Sequence, residues 1–394
     1  MTRTYPRLAG RRQIRYVSIG GLVVAAGLLL SAARAPARAD IVFTTANLVS
    51  DGFVPAANID PNLVNPWGIA LGPTSPFWVS DNGTGVATVY NSGGSTVIPP
   101  VTIPAVQAGA AGSPTGQVFN PGSGFDVSSG SVSGAAKFMF ATEDGTISGW
   151  APNVNFGKAI IAVNNSASHA VYKGLAIASS NNQLLLYAAN FWSGKIEVYN
   201  QNFQLVNAFT DPTIPTGYAP FNVQAFGGRL YVTYAKQDAT KQNEVDGAGL
   251  GYVDSFNLDG TGVMRIASNG ALNAPWGLDI APASFGRFAG DLLVGNFGNG
   301  WIDAFNPSTN AADGLLSNAN GDPLTIDGLW GLITGNGASG GSASDVYFAA
   351  GLGNEQHGLF GAIEPVPEPW TVILLMPATF GLMLLHRRTR TARI

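Results

Sequence analysis

No cysteine occurs in the 394 residues, which removes disulfide frameworks, thiolate nucleophiles and cysteine-ligated zinc together. Histidine is almost as scarce, with three residues in all. His386 lies near the C-terminus, and neither His169 nor His357 has a neighbour at metal-ligand or catalytic-triad spacing. Basic residues are also few where they would matter. Of 20, seven precede Asp40 and four follow Leu385, whereas all 24 acidic residues fall between Asp40 and Glu368. The body therefore carries about 15 net negative charges, although the whole chain sums to −4. Phosphate backbones are bound by clustered lysine and arginine, so nucleic acid is excluded as a partner. Divalent cations and neutral polysaccharides remain compatible. No long stretch keeps helical spacing either, which excludes layered helical architectures.

What is present falls into three parts. Arg3, Arg7, Arg11, Arg12 and Arg15 precede an apolar stretch over residues 16–33, and Ala37-Arg38-Ala39 follows as a small-x-small cleavage site. That layout predicts a signal peptide over residues 1–39, addressed to the Sec translocon. At the other end, Pro367-Glu368-Pro369 leads into an apolar run over 370–385 and then Arg387, Arg388 and Arg390. The run would span roughly 24 Å as a helix, a marginal crossing of the inner membrane. The arginines after it should stay cytoplasmic and leave the body outside. This tail, over 366–394, resembles the PEP-CTERM sorting tail of bacterial envelope proteins. The resemblance implies retention in the inner membrane through the C-terminal helix, processing near the triplet by an exosortase, and delivery to the cell surface or extracellular matrix.

Between the ends, the sequence repeats. Asn65-Pro66-Trp67-Gly68-Ile69-Ala70, Phe77-Trp78-Val79-Ser80-Asp81-Asn82 and Val86-Ala87-Thr88-Val89-Tyr90 form a three-strand phrase that returns five more times, most closely from Ala274-Pro275-Trp276-Gly277. Taking Gly68, Gly124, Gly174, Asn222, Gly277 and Gly331 as equivalent gives spacings of 56, 50, 48, 55 and 54 residues. Short strands rich in valine, isoleucine, phenylalanine and tyrosine at such a period predict an all-β, six-bladed β-propeller over residues 40–365. A fourth strand is expected at 96–103, 159–163, 205–209, 263–267 and 315–326. Blade six has none of its own, and residues 41–49 can supply it, closing the ring without an exposed edge.

The phrase Pro-Trp-Gly-Ile-Ala followed by Trp-Val-Ser-Asp-Asn-Gly resembles NHL-type blades. The opening Asn47-Leu48-Val49-Ser50-Asp51 with residues 60–68 is similar to a PEP-CTERM-associated propeller family without characterised function. In a propeller, the turns entering the first strands and those joining second to third strands share one end of the channel. Here they carry Trp67, Asp81, Asn82, Glu143, Asp144, Asn190, Trp276, Asn296, Trp330 and His357. Carboxylates, amides and aromatics together suit a sugar or a hard cation. Asp81, Glu143, Asn190 and Asn296 are the candidate Ca²⁺ ligands, the set a gluconolactonase-like hydrolase or lyase would use. Asp and Asn after a strand equally cap turns through their own backbone. The leading expectation is a noncatalytic propeller that binds polysaccharide or another envelope component.

Overall fold

The computed structural model describes residues 41–367, so the expected signal peptide, Glu368, Pro369 and the segment 370–385 with its arginines lie outside the described residues. Within the described residues no helix is long and apolar enough to cross a membrane. Helical structure there is confined to the short turns Ser166–Ser168, Ala283–Phe288 and Leu352–Glu355.

Six antiparallel sheets follow one another along the chain, which is the six-bladed β-propeller expected. Their innermost strands are Pro66–Ala70, Pro114–Phe119, Tyr172–Ser180, Tyr218–Phe226, Pro275–Ile280 and Leu329–Thr334. Each blade packs both faces against its neighbours, which is why the strands read as apolar runs rather than strict alternations. Between blades one and two lie Trp78, Phe138, Phe140 and Trp150; between blades six and one lie Val49, Phe77, Tyr90 and Phe360. Similar clusters fill the other four gaps.

The ring closes as the sequence predicts. Strand Ile41–Ser50 pairs antiparallel with the last strand, Leu359–Pro367, in a register running from Ile41 opposite Pro367 to Ser50 opposite Leu359. The last strand runs two residues past the expected boundary at 365, taking in Val366 and Pro367, the first two residues of the expected sorting tail. A short strand, Asn58–Ile59, adds a fifth member beside Val49 and Ser50.

Two expectations are corrected. The inner strand of blade two is Pro114–Phe119, not the segment around Gly124, because Asp126–Ser129 and Val132–Ala135 form a hairpin inserted between the first and second strands. Gly116 therefore replaces Gly124 in the repeat. The outer strand of blade five is Ala312–Leu315, short of the 315–326 expected.

Gly116 identifies the waist of the channel. A Cβ on Gly68 would lie 2.5 Å from Thr115 O, one on Gly116 2.5 Å from Leu175 N, one on Gly277 2.8 Å from Trp330 O, and one on Gly331 2.5 Å from Trp67 O. Adjacent inner strands touch there, and only glycine leaves room. The sixth position is Asn222, whose Nδ2 donates to Trp276 O at 2.8 Å and ties blade four to blade five.

Candidate functional site

The inner strands begin at the end of the channel that also carries the second-to-third-strand turns. Just inside that end the channel is filled rather than open. Trp67 stacks on Trp330 with centroids 3.6 Å apart, and Trp276 and Phe221 meet them edge-on. All three tryptophans are buried. Their indoles form a plug and are not presented as platforms for a sugar.

On this plug sits Lys173, a charged residue with 1% exposure, one residue before the waist glycine of blade three. Its Nζ lies 2.5 Å from Glu143 Oε1, 3.8 Å from Glu244 Oε2 and 4.8 Å from the centre of the Trp67 ring. Burial alone would lower the lysine pKa, but Glu143, Glu244 and Glu355 together hold it above the ordinary range. Three glutamates from the turns of blades two, four and six thus surround one ammonium from blade three.

Amides connect the cluster. Asn82 Nδ2 donates to Glu143 Oε2 at 3.0 Å, and Asn65 Nδ2 donates to Glu355 Oε1 at 3.1 Å. Asn65 Oδ1 in turn accepts the Trp330 indole N–H at 3.1 Å. Glu355 is held in a left-handed stretch, with φ of 60°, 56° and 65° at Gly353, Asn354 and Glu355, a conformation that costs free energy in the last two. Burial, then the charge of Glu244, pushes the Glu355 carboxyl up to about 7. Beside it opens a cleft of about 290 Å³ lined by Asp246, Phe297, Asp327, Asn354 and Glu355. The half-buried Phe297 ring stacks on Trp330 at 4.1 Å, so the cleft has an aromatic wall fixed by the plug.

Of the residues expected at this end, Asn82 and Glu143 join the cluster. Asp81, Asn190 and Asn296 each reach the residue seven positions on within their own blades. Asp81 Oδ2 accepts Thr88 N at 3.1 Å, Asn190 Nδ2 donates to Glu197 Oε1 at 2.7 Å, and Asn296 Nδ2 donates to Asp303 Oδ2 at 2.8 Å. These contacts pin each third strand to the end of its second strand. Among the described residues, no three Asp, Glu or His side chains are grouped to hold a metal ion. Asp144 Oδ2 accepts Val106 N at 3.0 Å. His357 is not among the residues lining the cleft; its Nδ1 lies 2.7 Å from Asp51 Oδ2 and its ring stacks on Phe53 at 3.9 Å.

Glu244, Phe297 and Glu355 lie in turns that the sequence places at this end, though outside the ten candidates; Lys173 is the residue the sequence reading does not put there, yet the repeat carries a signal for it. The residue before each waist position reads Trp67, Thr115, Lys173, Phe221, Trp276 and Trp330. A lysine in a column otherwise dominated by buried aromatics marks a charge inside the channel.

No protein-family model matches the chain. Among solved structures it is similar to a streptogramin B lyase, at 10% identity and a TM-score of 0.47 over 83% of this chain and 98% of that one. It is also similar to the soluble aldose sugar dehydrogenase of Escherichia coli, at 12% identity and a TM-score of 0.49 over 82% and 100%. At these scores the fold assignment rests on the sheet topology alone. Two proteins of Acanthamoeba polyphaga mimivirus, both described as uncharacterized, are much nearer in sequence. L690 is 35% identical over 338 residues, 83% of this chain and 87% of its own length, and R648 is 34% identical over 337 residues, 83% and 82%. The chain belongs to the family of these two mimivirus proteins, L690 and R648.

Proposed function

We propose that this is an exported, noncatalytic binding protein whose propeller recognises a neutral, hydroxyl-rich polymer, a polysaccharide of the envelope or matrix, through the Glu355 cleft. The observation that carries this reading is the composition of that cleft. One fixed phenyl face, Phe297, stands beside the carboxylates of Asp246, Asp327 and Glu355 and the amide of Asn354. Stacking against the apolar face of a sugar ring and accepting from its hydroxyls needs that combination. The Lys173 ammonium already occupies the centre of the neighbouring glutamates, so they serve as oriented acceptors and not as an empty cation cage.

The test is titration calorimetry of the body, residues 40–367, against neutral oligosaccharides, with Phe297→Ala and Glu355→Gln beside it. Both substitutions should weaken binding at least about tenfold, the loss of one hydrogen bond to a charged group or one stacking contact. Absence of binding to every neutral glycan would remove the reading. A melting temperature that climbs with Ca²⁺ concentration would instead favour a metal-dependent hydrolase or lyase. Export through the Sec translocon and exosortase processing rest on the sequence of the two ends. Replacing Pro367-Glu368-Pro369 by alanines should keep the full-length chain in the membrane fraction of an exosortase-bearing host, and release at the unaltered rate would reject the sorting role.

A further inference from the structure

The inner strands leave the waist at the opposite end of the channel, and there the chemistry reverses. A funnel of about 180 Å³ is walled by Ile69, Leu71, Phe119, Ile177, Phe226 and Leu332, with Gln117, Gln224 and Asp279 as the polar side chains in its lining. We propose that this funnel is a second binding site, for a small apolar molecule that carries a hydrogen-bond-donating head, with a primary arylalkylamine as its best-fitting class.

Gln117 sets the polarity of the head. Its side chain lines both the funnel and a void of about 10 Å³ at the waist, and the residue is 3% exposed. Both amide hydrogens are spent, with Nε2 donating to Gly68 O at 2.7 Å and Trp78 O at 2.5 Å. That fixes the orientation of the amide, and Oε1 is left buried without a hydrogen-bond partner. A buried acceptor without a donor is costly, and a ligand donor relieves the cost.

Asp279 agrees in sign. Its Oδ1 accepts Ile280 N at 2.8 Å and its Oδ2 accepts Thr334 Oγ1 at 2.7 Å, which leaves lone pairs on both oxygens. No lysine or arginine lines the funnel, so the carboxylate has no counter-charge within it. Burial pushes the carboxyl up to about 6, as expected for an acid without a cation, and an ammonium would supply one. The walls are apolar, Gln117 and Asp279 offer only acceptors, and the Gln224 amide can serve in either role. An anion or a pure acceptor would meet repulsion at Gln117 and Asp279. The inference is independent of the polysaccharide reading, which concerns the other end of the channel.

Benzylamine, benzyl alcohol and toluene carry one ring with a charged donor, a neutral donor and no donor. Titrated into the body at neutral pH, they should bind in that order, with benzylamine at least about tenfold tighter than toluene. Asp279→Asn should bring benzylamine to the level of benzyl alcohol and leave toluene unchanged. Ala225→Phe, which fills the funnel, should abolish all three, and Glu355→Gln at the far end should alter none. A crystal soaked in benzylamine should show the ring among Ile69, Ile177 and Leu332, a readout that does not depend on any variant folding. Equal affinity for toluene and benzylamine would overturn the choice of head group. Absence of binding at millimolar concentration, or binding lost in Glu355→Gln but kept in Ala225→Phe, would overturn the site.

Discussion

The two ends of the channel are made by the same six strands, yet one gathers a lysine among three glutamates and the other is an apolar funnel with a lone carboxylate, Asp279. Every inner strand carries a β-bulge at its waist, which interrupts the two-residue alternation between the residues before and after it. Those before include Trp67, Lys173, Phe221, Trp276 and Trp330; those after are Ile69, Gln117, Leu175, Val223, Leu278 and Leu332. The waist keeps the two sets apart. The loops add to the contrast, because the longer excursions that bring in Glu244 and Glu355 belong to the second-to-third-strand turns and so project only at the lysine end. A ring with a closed waist can therefore carry two unlike sites, each altered without rebuilding the other.

The contrast breaks most visibly at Lys173. Lys173→Met strands Glu143 and Glu244 beside a buried aromatic plug and should destabilise the body by about 3–5 kcal/mol in urea titration, the range for removing one partner of a buried charge cluster. Adding Glu143→Gln to that variant should return part of the loss. A single variant as stable as the unaltered protein would mean that the glutamates need no compensation. At the waist, Gly331→Ala presses a methyl group on Trp67 O and should cost about 1–3 kcal/mol while disturbing the plug. A change of similar size at the apolar end should cost less. Gln117→Met gives up two hydrogen bonds but also removes the partnerless Oε1, a net loss of about 1–2 kcal/mol. If it matched Lys173→Met, the two ends would not differ in kind.

The smallest effect is in pH. Glu355 is raised from 4.5 to about 7 and Asp279 from 3.8 to about 6, in both cases first by burial. The folded state then binds more protons than the unfolded chain between those limits. Each contribution is complete below the unfolded value and is lost as pH rises through the folded one. The melting temperature should therefore rise as pH falls from about 8 toward 5. Glu355→Gln should flatten the upper part of that slope, around Glu143, Glu244 and Lys173, and Asp279→Asn the lower part. A flat profile in the unaltered protein would show that neither carboxyl is shifted.

The fold was legible because it repeats. Six copies of one phrase outweigh any local ambiguity, and the missing outer strand of blade six pointed directly to residues 41–49. The error at Gly124 has a physical cause. The inserted hairpin of blade two has strand composition of its own, and nothing in its residues tells that it stands outside the ring. The site was less legible, because a side chain at the end of a strand looks the same whether it faces a ligand or its own turn. Asp81, Asn190 and Asn296 suit both a ligand role and turn capping by sequence, and each reaches a partner seven residues on. Glu244 and Glu355 lie in loops without repeat partners, and only the folded ring brings them to Lys173.

The fastening of the ring has a mechanical side. Ile41 and Pro367 face each other, so the described chain enters and leaves the propeller at one corner of one blade. Tension between those two points would act on the antiparallel pair at its end and break its hydrogen bonds one after another. It would not shear them all at once. The seam is long enough to resist heat as part of a cooperative ring, but a pull applied at that corner would open it rung by rung while the five other blades stayed folded.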